Sequence, residues 1–266
     1  MSEQPQELPV AVLAGGSGDK VTAASRAPSK ALVEIAGRPM IAWVLDPLCQ
    51  AERVSEVVVV EGPAGGVKDR IGEQARVARA RGPAFLDTVH AAVEALPESE
   101  RIVLVPGDLP LLTAQAVDDF IGSCIETPAE LSYAVVAADE FERAFPGRGK
   151  TVVRLRDGRV TAGNVACVSR RFVLEHGRTI ARVFAARKNP VAMLRMFGWS
   201  FVLRLIRGRL SVADLEARAS EMLGGTLRAV RCEHPEPGFD VDDLHDLKLA
   251  EEFLVRRLDV GQSAEQ

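Results

Sequence analysis

The chain has 266 residues, enough for one large α/β domain or two small ones and for a sizeable core. Its formal net charge of −4 and 5% aromatic content exclude a general nucleic-acid binder and a stacking platform for single strands. Four cysteines, Cys49, Cys124, Cys167 and Cys232, lie far apart with no CxxC pair, which excludes a zinc framework and suits free thiols in a reducing cytoplasm.

Taken in chain order, the first residues, MSEQPQELP, are polar and lack the apolar core of a signal peptide. Strands are expected over 9–14, 55–61, 75–79, 101–107 and 131–137, where β-branched runs are bounded by turn residues. Helices are expected over 39–51, 85–96 and 114–125, the last with Thr113 as its N-cap. Strand and helix alternate, so the fold class is α/β: a three-layer α/β/α, Rossmann-like, mostly parallel sheet covered on both faces. Residues 150–169 read as a hairpin turning at Asp157-Gly158. A helical, arginine-rich insertion spans 176–222 within a single domain, followed by a strand over 226–232 and a helix over 243–258.

The insertion contains the least polar window, residues 191–206. It is shorter than the roughly 18 apolar residues of a spanning helix and is broken by Arg195 and Arg204. Met193, Phe197, Trp199 and Phe201 there point to a core or homodimer contact. A lid over an apolar acceptor, or a peripheral membrane patch, is the minority alternative. Gly198 is the point at which a single helix would break.

Three stretches carry chemistry. The first strand ends in Leu13-Ala14 and runs into Gly15-Gly16-Ser17-Gly18. Such a loop lets backbone amides converge on an anion, and Lys20 and Lys30 add positive charge of the kind that holds phosphates. The spacing fits neither the Walker loop nor the dinucleotide fingerprint. In the second stretch, Gly107-Asp108-Leu109-Pro110 places a carboxylate at the carboxyl end of a buried strand. That is the edge where open α/β sheets bind ligands, and Asp108 is a hard oxygen donor suited to Mg²⁺. In the third, Asp240, Asp242, Asp243 and Asp246 crowd a strand-to-helix junction. Asp242 or Asp243 with Asp246 suits helix capping; Asp240 lies before the helix and needs another explanation. His90, His176, His234 and His245 are scattered, and no Ser-His-Asp or Cys-His constellation is present.

Leu13, Ala14, Gly15, Gly16 and Gly18, followed by Lys30, Leu32 and Gly37-Arg38-Pro39, resemble the opening motif of the MobA-like and sugar-phosphate nucleotidyltransferases. That superfamily has a GT-A-like fold of the nucleotide-diphospho-sugar transferase type. The resemblance covers residues 8–170 and 226–256. Lys20 stands where the family has arginine, keeping the charge but not the bidentate fork.

The resemblance implies Mg²⁺-dependent transfer of NMP from an NTP to a phosphorylated small-molecule acceptor, with release of pyrophosphate. Lys20, Lys30 and Asp108 would be catalytic, and Asp108, Asp240 and Asp242 metal ligands, Asp240 ranking ahead of Asp242. Leu13 to Gly18, Gly82, Asp87 and Thr88 would hold the nucleotide, CTP or GTP, with CTP preferred. Gly163 and Asn164 would line the acceptor pocket, although a plain turn there explains them as well. The competing readings are a GT-A-type glycosyltransferase using an NDP-sugar and a non-catalytic nucleotide-binding protein. Only one Asp-x-Asp occurs, at Asp240 to Asp242, late in the chain rather than mid-domain, which disfavours the glycosyltransferase.

Overall fold

The structure, a computed structural model, describes residues 6–16, 20–25, 27–186 and 190–264. Ser17 and Gly18 of the glycine loop therefore lie outside the described residues.

In chain order the elements are β1 (Leu8–Ala14), α1 (Lys20–Ser25), a small hairpin of β2 (Glu34–Ile35) and β3 (Arg38–Pro39), α2 (Met40–Gln50), β4 (Val54–Glu61), α3 (Lys68–Ile71), β5 (Arg76–Arg79), α4 (Phe85–Ala95) and β6 (Arg101–Pro106). They continue with α5 (Ala114–Glu126), β7 (Leu131–Ala137), α6 (Ala138–Ala144), β8 (Val153–Leu155), β9 (Gly158–Ser169), α7 (Arg170–Ala186), α8 (Pro190–Phe197), α9 (Trp199–Ile206), α10 (Val212–Leu223), β10 (Leu227–Cys232) and α11 (Leu244–Ala264).

The described residues form an eight-stranded sheet in the order β10-β7-β9-β6-β1-β4-β5, with β8 pairing β9. β1, β4, β5 and β6 are mutually parallel, as are β7 and β10; β9 alone runs antiparallel between β6 and β7. The carboxyl ends of all the parallel strands thus share one rim. The two faces follow from the strand period of two. Val10, Val12 and Ala14 of β1 face a core shared with α2, α5 and α11, while Ala11 faces a second core closed by α4 and the start of α7. This is the three-layer arrangement expected.

Most expected elements appear within a residue or two of their sequence positions. Thr113 caps α5 by accepting the Ala116 N–H at 3.3 Å. The hairpin is shifted by one residue: Leu155 pairs with Gly158, so Arg156–Asp157 make the turn and Gly158, at φ +124°, opens the strand. The helical segment starts at Arg170 rather than at 176, because the Ser169 hydroxyl accepts the Phe172 N–H at 3.1 Å and begins a helix directly off β9. Gly198, at φ +85°, separates α8 from α9 as anticipated. Of the two expectations for the 191–206 window, core or homodimer contact, the core position does not hold for α9. No residue of α9 is buried, and Trp199 is 68% exposed.

Candidate active site

The rim of the sheet gathers the sequence motifs. β1 hands its chain to the glycine loop, and the loop is tied down on two sides: the Gly107 N–H donates to Leu13 O at 3.0 Å and the Lys30 N–H to Gly16 O at 3.1 Å. Gly15 is required for its lack of a side chain. A Cβ there would lie 2.9 Å from Thr88 Oγ1 and against Gly62. Leu13, Ala14, Gly15, Gly16 and Thr88 are thereby brought together, and a small cavity of about 30 Å³ beside them is lined by Ala14, Gly15, Ser29 and Gly62 to Gly65. Ser29 Oγ is buried with no hydrogen-bond partner among the described residues, an orphan of the kind a ligand satisfies. Lys20 opens α1 directly after the undescribed part of the loop.

Gly82 and Asp87 do something more local. Asp87 Oδ2 accepts the Ala84 N–H at 3.0 Å, closing half of a capping box on α4; Ala84 has no side-chain oxygen for the other half. A Cβ on Gly82 would fall 2.3 Å from that carboxylate, so Gly82 makes room for the cap.

Opposite the loop stands a cluster of charges. Lys30 Nζ lies 2.7 Å from Asp108 Oδ2 and 3.4 Å from Asp242 Oδ1. The backbone repeats the junction, since the Val241 N–H donates to Asp108 O at 3.1 Å. Asp240 is held by two cations that the sequence reading missed: Lys150 Nζ at 3.0 Å and Arg148 at 3.4 Å from Oδ1. Lys150 also donates to Gly238 O, and Arg148 to Asp240 O at 2.9 Å. The signal was present as Gly147-Arg148-Gly149-Lys150, a short basic run punctuated by glycines before β8.

The electrostatics follow from crowding in a partly dry place. Burial pushes the Asp108 carboxyl above its usual range; Lys30 pulls it back, and Asp240 and Asp242 push it further up. Burial also works to raise Asp240, but Lys150 and Arg148 overcome it and hold that carboxyl below the ordinary range. Lys150 is itself lowered by desolvation, against the pull of Asp240.

The four aspartates of the third motif divide as their positions allow. Asp243 Oδ1 accepts the Asp246 N–H at 3.0 Å and Asp246 Oδ2 accepts the Asp243 N–H at 3.2 Å, a reciprocal capping box on α11. Asp246 also lies 3.0 Å from Arg148 Nε, an ion pair without hydrogen-bond alignment. Asp240 and Asp242 are left for the rim.

Gly163 and Asn164 are not a turn. They form a bulge inside β9, where pairing jumps from Tyr133↔Ala166 to Val135↔Ala162. A Cβ on Gly163 would sit 2.6 Å from Ala134 Cβ, and Asn164 adopts φ +57°. Asn164 Nδ2 donates to Pro237 O at 3.3 Å, which fixes the segment leading into Asp240.

For a metal, the donor chemistry fits a hard divalent cation, because Asp108, Asp240 and Asp242 are oxygen donors close enough to repel one another. No closed cage of three or more ligands is gathered among the described residues. Magnesium does not need one, as it characteristically takes one or two carboxylates and completes its shell with water and substrate phosphates.

The family model for the MobA-like NTP transferase domain matches residues 10–229. The chain belongs to that family. A hypothetical transferase from Thermus thermophilus superposes with a TM-score of 0.77 at 35% identity, over 90% of this chain and 99% of the other. The 3-deoxy-manno-octulosonate cytidylyltransferase of Bdellovibrio bacteriovorus is 23% identical over 242 residues, 86% of this chain and 93% of the relative. The bifunctional protein GlmU of Alcanivorax borkumensis is 28% identical over 183 residues, 63% of this chain; the match spans only 39% of that longer relative. A MobA-like NTP transferase agrees with the enzyme expected from the opening motif, rather than with a glycosyltransferase or a scaffold.

Proposed function

We propose that this chain transfers a nucleoside monophosphate from an NTP to a phosphorylated small-molecule acceptor. An acceptor phosphate oxygen bonds to the α-phosphorus, the bond from that phosphorus to the β-phosphate oxygen breaks, and pyrophosphate leaves with the electron pair. The observation that carries this reading is the Lys30–Asp108 pair, 2.7 Å apart although 78 residues separate them, set beside the glycine loop and Asp242.

Each group has a task. Amides of the glycine loop, with Lys20 at the start of α1, hold the leaving pyrophosphate. Lys30 stabilises charge on the α-phosphate as it develops, and removing such a donor costs about 100- to 1000-fold in rate. Mg²⁺ bound by Asp108 with Asp240 and Asp242 would neutralise phosphate charge. Arg148 and Lys150 keep Asp240 ionised and aimed at the rim. Gly163 and Asn164 hold the floor of the acceptor side through Pro237.

CTP is the preferred donor and GTP the alternative. The Ala84 amide is occupied by Asp87, so base reading falls to the main chain of Leu13 to Gly16, with Thr88 and the orphan Ser29 hydroxyl. A pocket read by main chain suits a small pyrimidine, and the relative from Bdellovibrio bacteriovorus carries cytidylyltransferase in its name. Cys124, Cys167 and Cys232 are buried as free thiols and Cys49 is exposed, which favours a reducing cytoplasm.

The test is pyrophosphate release from each of the four NTPs with Mg²⁺, against a panel of phosphorylated sugars and polyols. One NTP–acceptor pair should give turnover, and Asp108→Asn should abolish it while leaving the circular-dichroism spectrum unchanged. Turnover undiminished in that variant would remove Asp108 from the reaction.

A further inference from the structure

Residues 176–213 hold eight arginines and lysines and not one aspartate or glutamate, in a chain whose net charge is −4. The rest of the chain is therefore distinctly acidic, and this acid-free stretch lies in sequence between β9 and β10, with Arg178 and Arg182 on α7, Arg195 on α8 and Arg204 on α9.

These helices also expose apolar surface. On α9, Trp199, Leu203 and Ile206 fall along one side at the i, i+4, i+7 spacing, and Trp199 and Ile206 are 68% and 76% exposed. Arg207, the residue that follows α9, is exposed and projects next to that side, Arg204 projects well round the helix from it, and Arg195 is exposed on α8. Arg204 is shared with Asp214 at 3.5 Å, and that aspartate also pairs with Arg156 at 3.2 Å. An apolar stripe carrying a tryptophan and flanked by arginine has the composition of a helix that lies in a bilayer interface. No helix among the described residues is long and apolar enough to cross a membrane, so the helix would lie on the surface.

The position of α9 is fixed. It packs on β8, and the Arg156 N–H just after β8 donates to Leu210 O at 2.8 Å. β9 pairs its first residues with the last of β7, Val160 with Ala137, so the β8–β9 hairpin stands on the same rim as Asp108. Lys150, which holds Asp240, precedes β8 by two residues.

We propose that α8 and α9 dock the protein on an anionic phospholipid surface, with Trp199 and Ile206 inserted at the headgroup boundary and Arg195 and Arg207 against the lipid phosphates. Charge decides between this occupant and a second copy of the chain. In a two-fold contact the same patch meets itself, which would press this acid-free basic segment against its own copy. An anionic bilayer presents the complementary sign.

The experiment is co-sedimentation of the full chain with vesicles of phosphatidylcholine containing about 30% phosphatidylglycerol, beside vesicles of phosphatidylcholine alone. Tryptophan emission is followed as well. The chain has two tryptophans, and Trp43 is tied to Ile35 O at 3.0 Å, so Trp199 reports. The anionic vesicles should bind the protein and shift its emission to the blue; neutral vesicles, or about 0.5 M salt, should not support binding. Trp199→Ser with Ile206→Ser, and separately Arg195→Glu with Arg207→Glu, should each lower binding more than about tenfold while NTP-dependent pyrophosphate release in solution is unchanged. Binding by both double variants equal to that of the wild type, or no binding to anionic vesicles at low salt, overturns the proposal. So does equal binding to neutral vesicles. A dimer lost in Trp199→Ser with Ile206→Ser, without vesicle binding, would give the face to a second copy instead.

Discussion

Asp240 shows how much of a carboxylate's behaviour is set by its neighbours. Burial alone would drive it toward the neutral form; Lys150 and Arg148 reverse the direction. A depressed carboxyl favours the folded protein above its unfolded pKa, and that contribution is lost as pH falls through the folded value. Lys150→Met removes the nearer cation, so the Asp240 pKa rises. The acid limb of the kcat/KM profile should move to higher pH, and the midpoint of acid unfolding should move with it. A profile superposable on that of the wild type would detach Lys150 from the reaction. Asp240 itself was readable in the sequence, because it stands one step outside the capping pattern that accounts for Asp243 and Asp246. Lys150 and Arg148 were not, because nothing local in Gly147 to Lys150 says that the loop folds back over a segment some 90 residues on.

At the scale of elements, the decisive irregularity is the bulge in β9. A strand reading of residues 158–169 captures the alternation but not the jump in register, which exists only against β7. Gly163 fits because its α-carbon lies against Ala134, and Asn164 reaches Pro237 only from its φ of +57°. Gly163→Ala should destabilise the protein by about 1–3 kcal/mol through overpacking. It should also lower kcat through Asp240, although residue 163 touches neither nucleotide nor metal in the proposed arrangement. Chemical denaturation and turnover on the same sample would check both effects, and an unchanged stability would contradict the packing argument. The helices α1, α3 and α6 went unread for a different reason. Each is four to seven residues long, too short for a helical period to show. α9 misled because an apolar window reads the same whether it faces a core or a surface, and only the fold tells which.

Over the whole molecule, topology does the assembling. Parallel strands bring the ends of β1, β6 and β10 to one rim, so that motifs near residues 15, 108 and 240 meet although the chain separates them. The alternation of strand and helix, the family resemblance of the opening loop and the Asp108 motif made that rim legible before any coordinates. The antiparallel insertion of β9 was not legible, since strand order depends on which edges remain unpaired once the parallel half has formed. The central claim is that this rim binds a nucleoside triphosphate between the glycine loop and the Lys30–Asp108 pair. Calorimetric titration of each NTP in the presence of Mg²⁺ tests it most directly. One nucleotide should bind at a single site, and Lys30→Met should weaken that binding at least about tenfold. Failure of every NTP to bind, or equal affinity in the variant, would contradict the account.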